Sequence, residues 1–214
     1  YAKGTYITLN PVNRDLLARC YNRVQGQKQT GATTSDSHVL RRRWLPIDID
    51  AERPVKDISS TAAEHDHAIA IARRVRDDLS QSGWPEPVLL DSGNGAWLLY
   101  RIEEPADDAG LVDDVLAALA LRYNSALAVV DQTLYNPARI GKLPGTWVHK
   151  GDDVPDRPHR QARVLDAPAE LVTVPTAQLK AMAATVPPEP VQPARQTSRA
   201  GAYAGEPFDI QKWI

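Results

Sequence analysis

The sequence predicts an α/β or α+β fold, a sheet layered with helices, and three observations lead to it. Alternating or short apolar runs interleave with segments whose apolar residues recur every three or four positions. A tight glycine turn joins two apolar runs within 87–102, the pattern of a hairpin. The longest helical pattern carries start and stop signals at both ends. With 214 residues and 43% hydrophobic content, the chain can bury one substantial core, so one main domain is expected.

Each element follows in order. "GTYITLN" (4–10) alternates and reads as a strand. Pro11 and Asn13 open a helix, with Leu16, Leu17, Cys20, Tyr21 and Val24 as its buried face. Residues 25–37 are polar and glycine-containing, a loop by composition. "RWLPIDID" is an apolar strand that ends in two aspartates. Thr61 with Glu64 makes a capping box, Ile69, Ala72, Val75 and Leu79 form a stripe, and Gly83 stops that helix. "PVLLDSGNGAWLLYRI" is the hairpin, and a third helix runs from about Ala109 to Asn124. "LAVVDQTLYNPARIGKLPGTW" reads as strand, loop and short strand. Residues 187–214 form a proline-rich linker or tail, leaving 1–186 as the domain. The opening at Tyr1 suggests a segment of a longer polypeptide.

The composition bounds the function. One cysteine, Cys20, excludes an internal disulfide or a cysteine-rich zinc site and suits a cytoplasmic setting. No apolar run reaches the roughly 18 residues that would span a bilayer, so no membrane partner is expected. The net charge of −2 hides a segregation: residues 1–43 carry 8 basic and 2 acidic groups, 44–138 carry 7 and 17, and 139–163 carry 6 and 3. A local basic face is what a polyanion feels, so nucleic acid stays open as a partner.

Asp48 and Asp50, at i and i+2 on a strand, point to one face. Their repulsion is relieved by a positive group, and two oxygen ligands with open positions suit Mg²⁺ or Mn²⁺. Alone, the pair is weak. The turn Ser92-Gly93-Asn94-Gly95 reads either as an anion-binding nest or as an ordinary hairpin turn. Asp131 ends an apolar run and suits a third metal carboxylate, while Arg139 and Lys142 suit a triphosphate; an exposed loop with ordinary charges is the alternative. His65 and His67 sit two apart on a helix, the wrong spacing for a ligand pair, and read as a solvated first turn.

Taken in order, hydrophobic-D-x-D, S-G-x-G, then hydrophobic-D followed by N-P-x-R-I-x-K-L-x-G-T resemble the archaeo-eukaryotic primase superfamily, closest to primase-polymerase domains of phage and plasmid replication proteins. The resemblance covers most of 4–180, including "TYITLNPV", "PVLLDSGNGAWLLYRI", "NPARIGKLPGTWVHKGD" and "RPHRQARVL". It implies an RRM-like catalytic sheet, antiparallel or mixed, flanked by helices with an N-terminal α/β module. Asp48, Asp50 and Asp131 would be the catalytic, metal-binding carboxylates of a two-metal Mg²⁺ or Mn²⁺ site. Ser92, Gly93, Asn94, Gly95, Trp97, Arg139 and Lys142 would bind the nucleotide.

The implied activity is template-directed nucleotidyl transfer from (d)NTPs to a 3′ hydroxyl on single-stranded DNA, for primer synthesis in replication. Its partners would be template, primer, nucleoside triphosphates and a helicase domain, in the host cytoplasm if the gene is a phage's. Arg41, Arg42, Arg43, Lys150, Arg157 and Arg160 are candidate nucleic-acid contacts. Trp97 departs from the pattern, because the family carries a histidine there. An indole has one N–H donor and no charge; stacking on a base or sugar, or compensation by His149 or Lys150, are the alternatives. The rival readings are a single-stranded-DNA-binding replication-initiation module with a weakened polymerase site, and a nuclease built on the same acids.

Overall fold

The computed structural model describes residues 4–19 and 33–187. The chain runs β1 (Tyr6–Thr8), a 3₁₀ segment (Arg14–Arg19), β2 (Arg41–Ala51), α1 (Ala62–Gln81), β3 (Val88–Asp91) and β4 (Gly95–Pro105). It continues through α2 (Leu111–Tyr123), β5 (Ala128–Val130), a 3₁₀ turn (Gln132–Tyr135), β6 (Ile140–Lys142), β7 (Trp147–Val148), β8 (Arg160–Gln161), β9 (Arg163–Asp166) and α3 (Thr176–Ala183). Five strands form one sheet in the order β5-β2-β4-β3-β9, with every neighbouring pair antiparallel. The expected mixture of strands and helices is therefore present, with an antiparallel main sheet.

The period-2 alternation of β2 sorts its residues. Leu45, Ile47, Ile49 and Ala51 face inward, each 3% exposed or less, so Asp48 and Asp50 lie on the opposite face. Across the strand pair Ile47 faces Leu98 and Ile49 faces Ala96, while Asp48 faces Trp97 and Asp50 faces Gly95. Ala68, Ala72, Val75 and Leu79 of α1 and Val115, Leu116 and Leu119 of α2 complete the core with Leu179 and Met182 of α3. The Thr61 side chain accepts from the Glu64 N–H, and the Glu64 carboxylate accepts from the Thr61 N–H, so the capping box starts α1.

Several expectations change. Residues 14–19 are 3₁₀ rather than α-helical and bury nothing; Leu17 is 61% exposed. The remainder of that predicted helix, with Cys20, Tyr21 and Val24, lies outside the described residues, as does the predicted tail from 188 onward. The N-terminal strand stays outside the main sheet: β1 pairs with β6 in a separate two-stranded sheet. β2 begins at Arg41, two residues before the "RWLPIDID" run, so Arg41 and Arg42 also lie within the strand. The β7–β8 ribbon, β9 and α3 have no counterpart in the sequence reading.

Candidate functional site

The outer face of β2 and the end of β5 bring three carboxylates together. The N–H of Asp131 donates to the Asp48 carbonyl at 2.9 Å, which fixes Asp131 beside the aspartate strand. Asp48 keeps some exposure as a residue, yet its Oδ1 is out of solvent and without a hydrogen-bond partner. Burial pushes its carboxyl well above the ordinary value, and the charges of Asp50 and Asp131 push the same way. A hydrogen bond from the Trp97 side chain and the charge of Lys150 offset this only in part.

The outer two acids are drawn elsewhere. Asp131 Oδ1 accepts from the Thr133 N–H at 2.8 Å, capping the 3₁₀ turn, and Asp50 lies 3.8 Å from the Arg53 guanidinium. Among the described residues, no group of three His, Cys, Asp or Glu stands in an arrangement that could by itself hold a metal ion. The donor set is nonetheless all oxygen, and Asp48 Oδ1 is buried without a hydrogen-bond partner, a chemistry that fits a hard divalent ion.

Trp97 is buried at 6% exposure, directly opposite Asp48. Its ring also meets the β1–β6 ribbon: a Cβ at Gly141 would sit 3.2 Å from the indole and 2.8 Å from the Leu9 side chain. The indole is therefore packing between sheet and ribbon, and a base cannot stack on it as it stands. The glycine turn is likewise closed. Ser92, Gly93, Asn94 and Gly95 are all buried; the Gly93 N–H donates to Asp91 Oδ1 and the Ser92 N–H to the Gly95 carbonyl. Asn94 Oδ1 accepts from the Ser60 N–H. With two of its amides occupied, the turn is a packed hairpin rather than an open anion nest. Gly93 holds φ +87° against Val148, and a methyl at Gly95 would strike the Ile49 carbonyl oxygen.

The basic residues divide. Arg42 is buried on Asp108, Ala106 O and Tyr135 O, so it supports the fold rather than contacting a polyanion. Arg157 grips Glu64 with two nitrogens and also bonds Ser59 O, and Arg160 bonds Ser60 O. Both hold the segment around the start of α1. Arg41 pairs with exposed Glu103, and Arg43 is exposed. Lys142 lies over the Tyr6 ring at 4.6 Å, and Arg139 bonds the Thr133 carbonyl while its Nε has no partner. Arg139 lines a cleft with Thr8, Thr33, Thr34 and Asn136, apart from the one that holds the acids.

That acid cleft, of about 460 Å³, is lined by Asp50, Glu52, Arg53, Lys56, Asp131, Thr133 and Lys150 among others. Of its cations, sequence reasoning named only Lys150. Arg53, three residues past Asp50, carried a usable signal: a cation within reach of an acidic pair. His65 was also misjudged. It is 6% exposed and its Nε2 is 2.9 Å from Asp91 Oδ1, a buried pair rather than a solvated turn. Its position on the apolar side of α1, one turn before Ile69, was the available signal. His149 packs edge-on against His159 with ring centres 4.8 Å apart.

Compared with family models, curated proteins and solved structures, the chain has no match in any of the three. No helix among the described residues is long and apolar enough to cross a membrane.

Proposed function

We propose that the chain is the catalytic domain of a DNA primase-polymerase of the archaeo-eukaryotic primase type. One observation carries the reading: Asp48 and Asp50 of β2 and Asp131, the residue after β5, come together beside a cleft lined with cations, close enough that the charges of Asp50 and Asp131 raise the Asp48 carboxyl. The connectivity of β2-α1-β3-β4-α2-β5 in the spatial order β5-β2-β4-β3 supports an RRM-like catalytic sheet, which the three motifs imply. Asp48, Asp50 and Asp131 would hold Mg²⁺ or Mn²⁺. A bound ion would supply the positive charge that activates a 3′ hydroxyl and offsets charge growing on the α-phosphate.

The protein's own residues then have defined tasks. The backbone bond from Asp131 to Asp48 keeps the two strand ends in register, so the carboxylates share one end of the sheet. Trp97 fills the space where the family places an imidazole, and keeps water from one side of Asp48. Single-stranded DNA and nucleoside triphosphates are the proposed partners, with a helicase as neighbour in replication.

The test is incorporation of labelled nucleotides on primed and unprimed single-stranded template with Mg²⁺ or Mn²⁺. The parent chain extends, and the Asp48→Ala, Asp50→Ala double variant does not; unaltered incorporation by that variant ends the assignment. The occupied turn amides and the buried Trp97 favour a second reading, a single-stranded-DNA-binding initiation module with a weakened polymerase site. It predicts salt-sensitive binding without extension.

A further inference from the structure

The cleft beside Asp50 and Asp131 contains a buried cation, Arg53, that has a charge partner in Asp50 but donors the fold leaves unsatisfied. The Arg53 side chain is 4% exposed, and its Nε and one terminal nitrogen have no hydrogen-bond partner. The other terminal nitrogen stands 3.8 Å from Asp50, too far for a hydrogen bond. A guanidinium carries five N–H donors in a rigid fork, and burying it without acceptors is unfavourable unless something supplies them. By contrast, Arg42, also buried, has every contact it needs in Asp108, Ala106 and Tyr135.

The surroundings say what the acceptor is. Arg53, Lys56 and Lys150 line the same cleft as Asp50, Glu52 and Asp131, so cations and carboxylates balance there. A simple anion is repelled by the acids, and a bare cation is repelled by the bases. A ligand that carries both charges, a polyphosphate chelating a divalent ion, satisfies both sets at once. Oxygens of such a ligand match the planar fork of Arg53, while the lysines act as point charges.

We infer that Arg53, with Lys56 and Lys150, binds the polyphosphate of a metal-nucleotide complex in this cleft. This deepens the polymerase reading and rests on it for the identity of the nucleotide, but the anion site can be tested without catalysis. It also moves the phosphate site from Arg139 and Lys142, which line other surroundings, to the acid cleft itself. Metal and polyphosphate then enter together: as a cation draws Asp50 away, Arg53 is left to the phosphate.

The test is calorimetric titration of the 214-residue chain with tripolyphosphate plus Mg²⁺, and separately with a single-stranded DNA oligonucleotide, for Arg53→Met and Arg53→Lys. Arg53→Met should weaken tripolyphosphate binding by at least about tenfold, the size of one charge-assisted hydrogen bond. Oligonucleotide affinity should change less than about twofold, since this cleft is assigned to the polyphosphate and not to the strand. Arg53→Lys should recover part of the loss, since one point charge replaces the fork. If Arg53→Met does not fold, Arg53→Lys decides, with a several-fold loss expected. Parent-like binding by whichever variant decides overturns the inference. So does a loss confined to the oligonucleotide, or a parent chain that does not bind tripolyphosphate. If binding depends on Arg53 but no nucleotide is incorporated, the anion site stands and the polymerase reading falls.

Discussion

Asp48 concentrates the cost of the site in one side chain. Its folded carboxyl titrates above its unfolded value, so the ionised form is disfavoured by folding at neutral pH, and stability rises as pH falls toward that raised value. Asp48→Asn removes the charge and its repulsion with Asp50 and Asp131. The variant should lose metal-dependent incorporation yet gain roughly 1–3 kcal/mol in denaturant unfolding at pH 7, the penalty of an unsatisfied buried group. The gain should shrink in acid, where the parent is itself protonated. A variant less stable than its parent at pH 7 would show that the carboxylate supports the fold. Trp97 is the opposite case, a large ring held by Leu9, Gly141 and the sheet. Replacing it with histidine should lower stability by roughly 2–4 kcal/mol through the cavity it leaves, measured by thermal unfolding.

Elements with strong local signals were legible in the sequence. The capping box and apolar stripe located α1, and the glycine turn located the β3–β4 hairpin, because those signals are set within a few residues. The grouping of Asp48, Asp50 and Asp131 was also readable, since strand alternation and an apolar run ending in aspartate fix their direction. Pairings over long separations were not. β1 joins β6 across more than a hundred residues, and β9 joins β3 from an exposed segment with no clear period. The partners of Arg157 and Arg160 were hidden for the same reason: charge is visible in a sequence, but what neutralises it is not. Gly95 shows how tightly the hairpin is tied to the aspartate strand, since it pairs with Asp50 and has no room for a methyl against Ile49. Gly95→Ala should cost about 2–3 kcal/mol and lower incorporation by displacing Asp50. A cost under about 0.5 kcal/mol would mean the two strands separate easily there.

At the scale of the whole molecule, three parts of the chain meet at Asp91 behind the sheet end that carries the acids. His65 reaches it from α1, the Gly93 amide from the hairpin turn, and Arg163 from β9 at 3.2 Å. Burial alone would raise this carboxyl. The hydrogen bonds from His65 and Gly93, with the charges of His65 and Arg163, outweigh it and hold Asp91 below its ordinary value of 3.8. A depressed folded value has a definite sign: the stabilisation is present above the unfolded value and is lost as pH falls through the lower folded one. Asp91→Asn keeps the size of the side chain but removes the charge that joins helix, turn and edge strand. Urea unfolding should show the variant about 1–3 kcal/mol less stable than its parent at pH 7. As the parent's own Asp91 becomes protonated below the ordinary carboxylate value, the two curves should converge. A gap that persists undiminished into that range would assign the loss to packing rather than charge, and Asp91 would then be a spacer rather than the electrostatic joint of the fold.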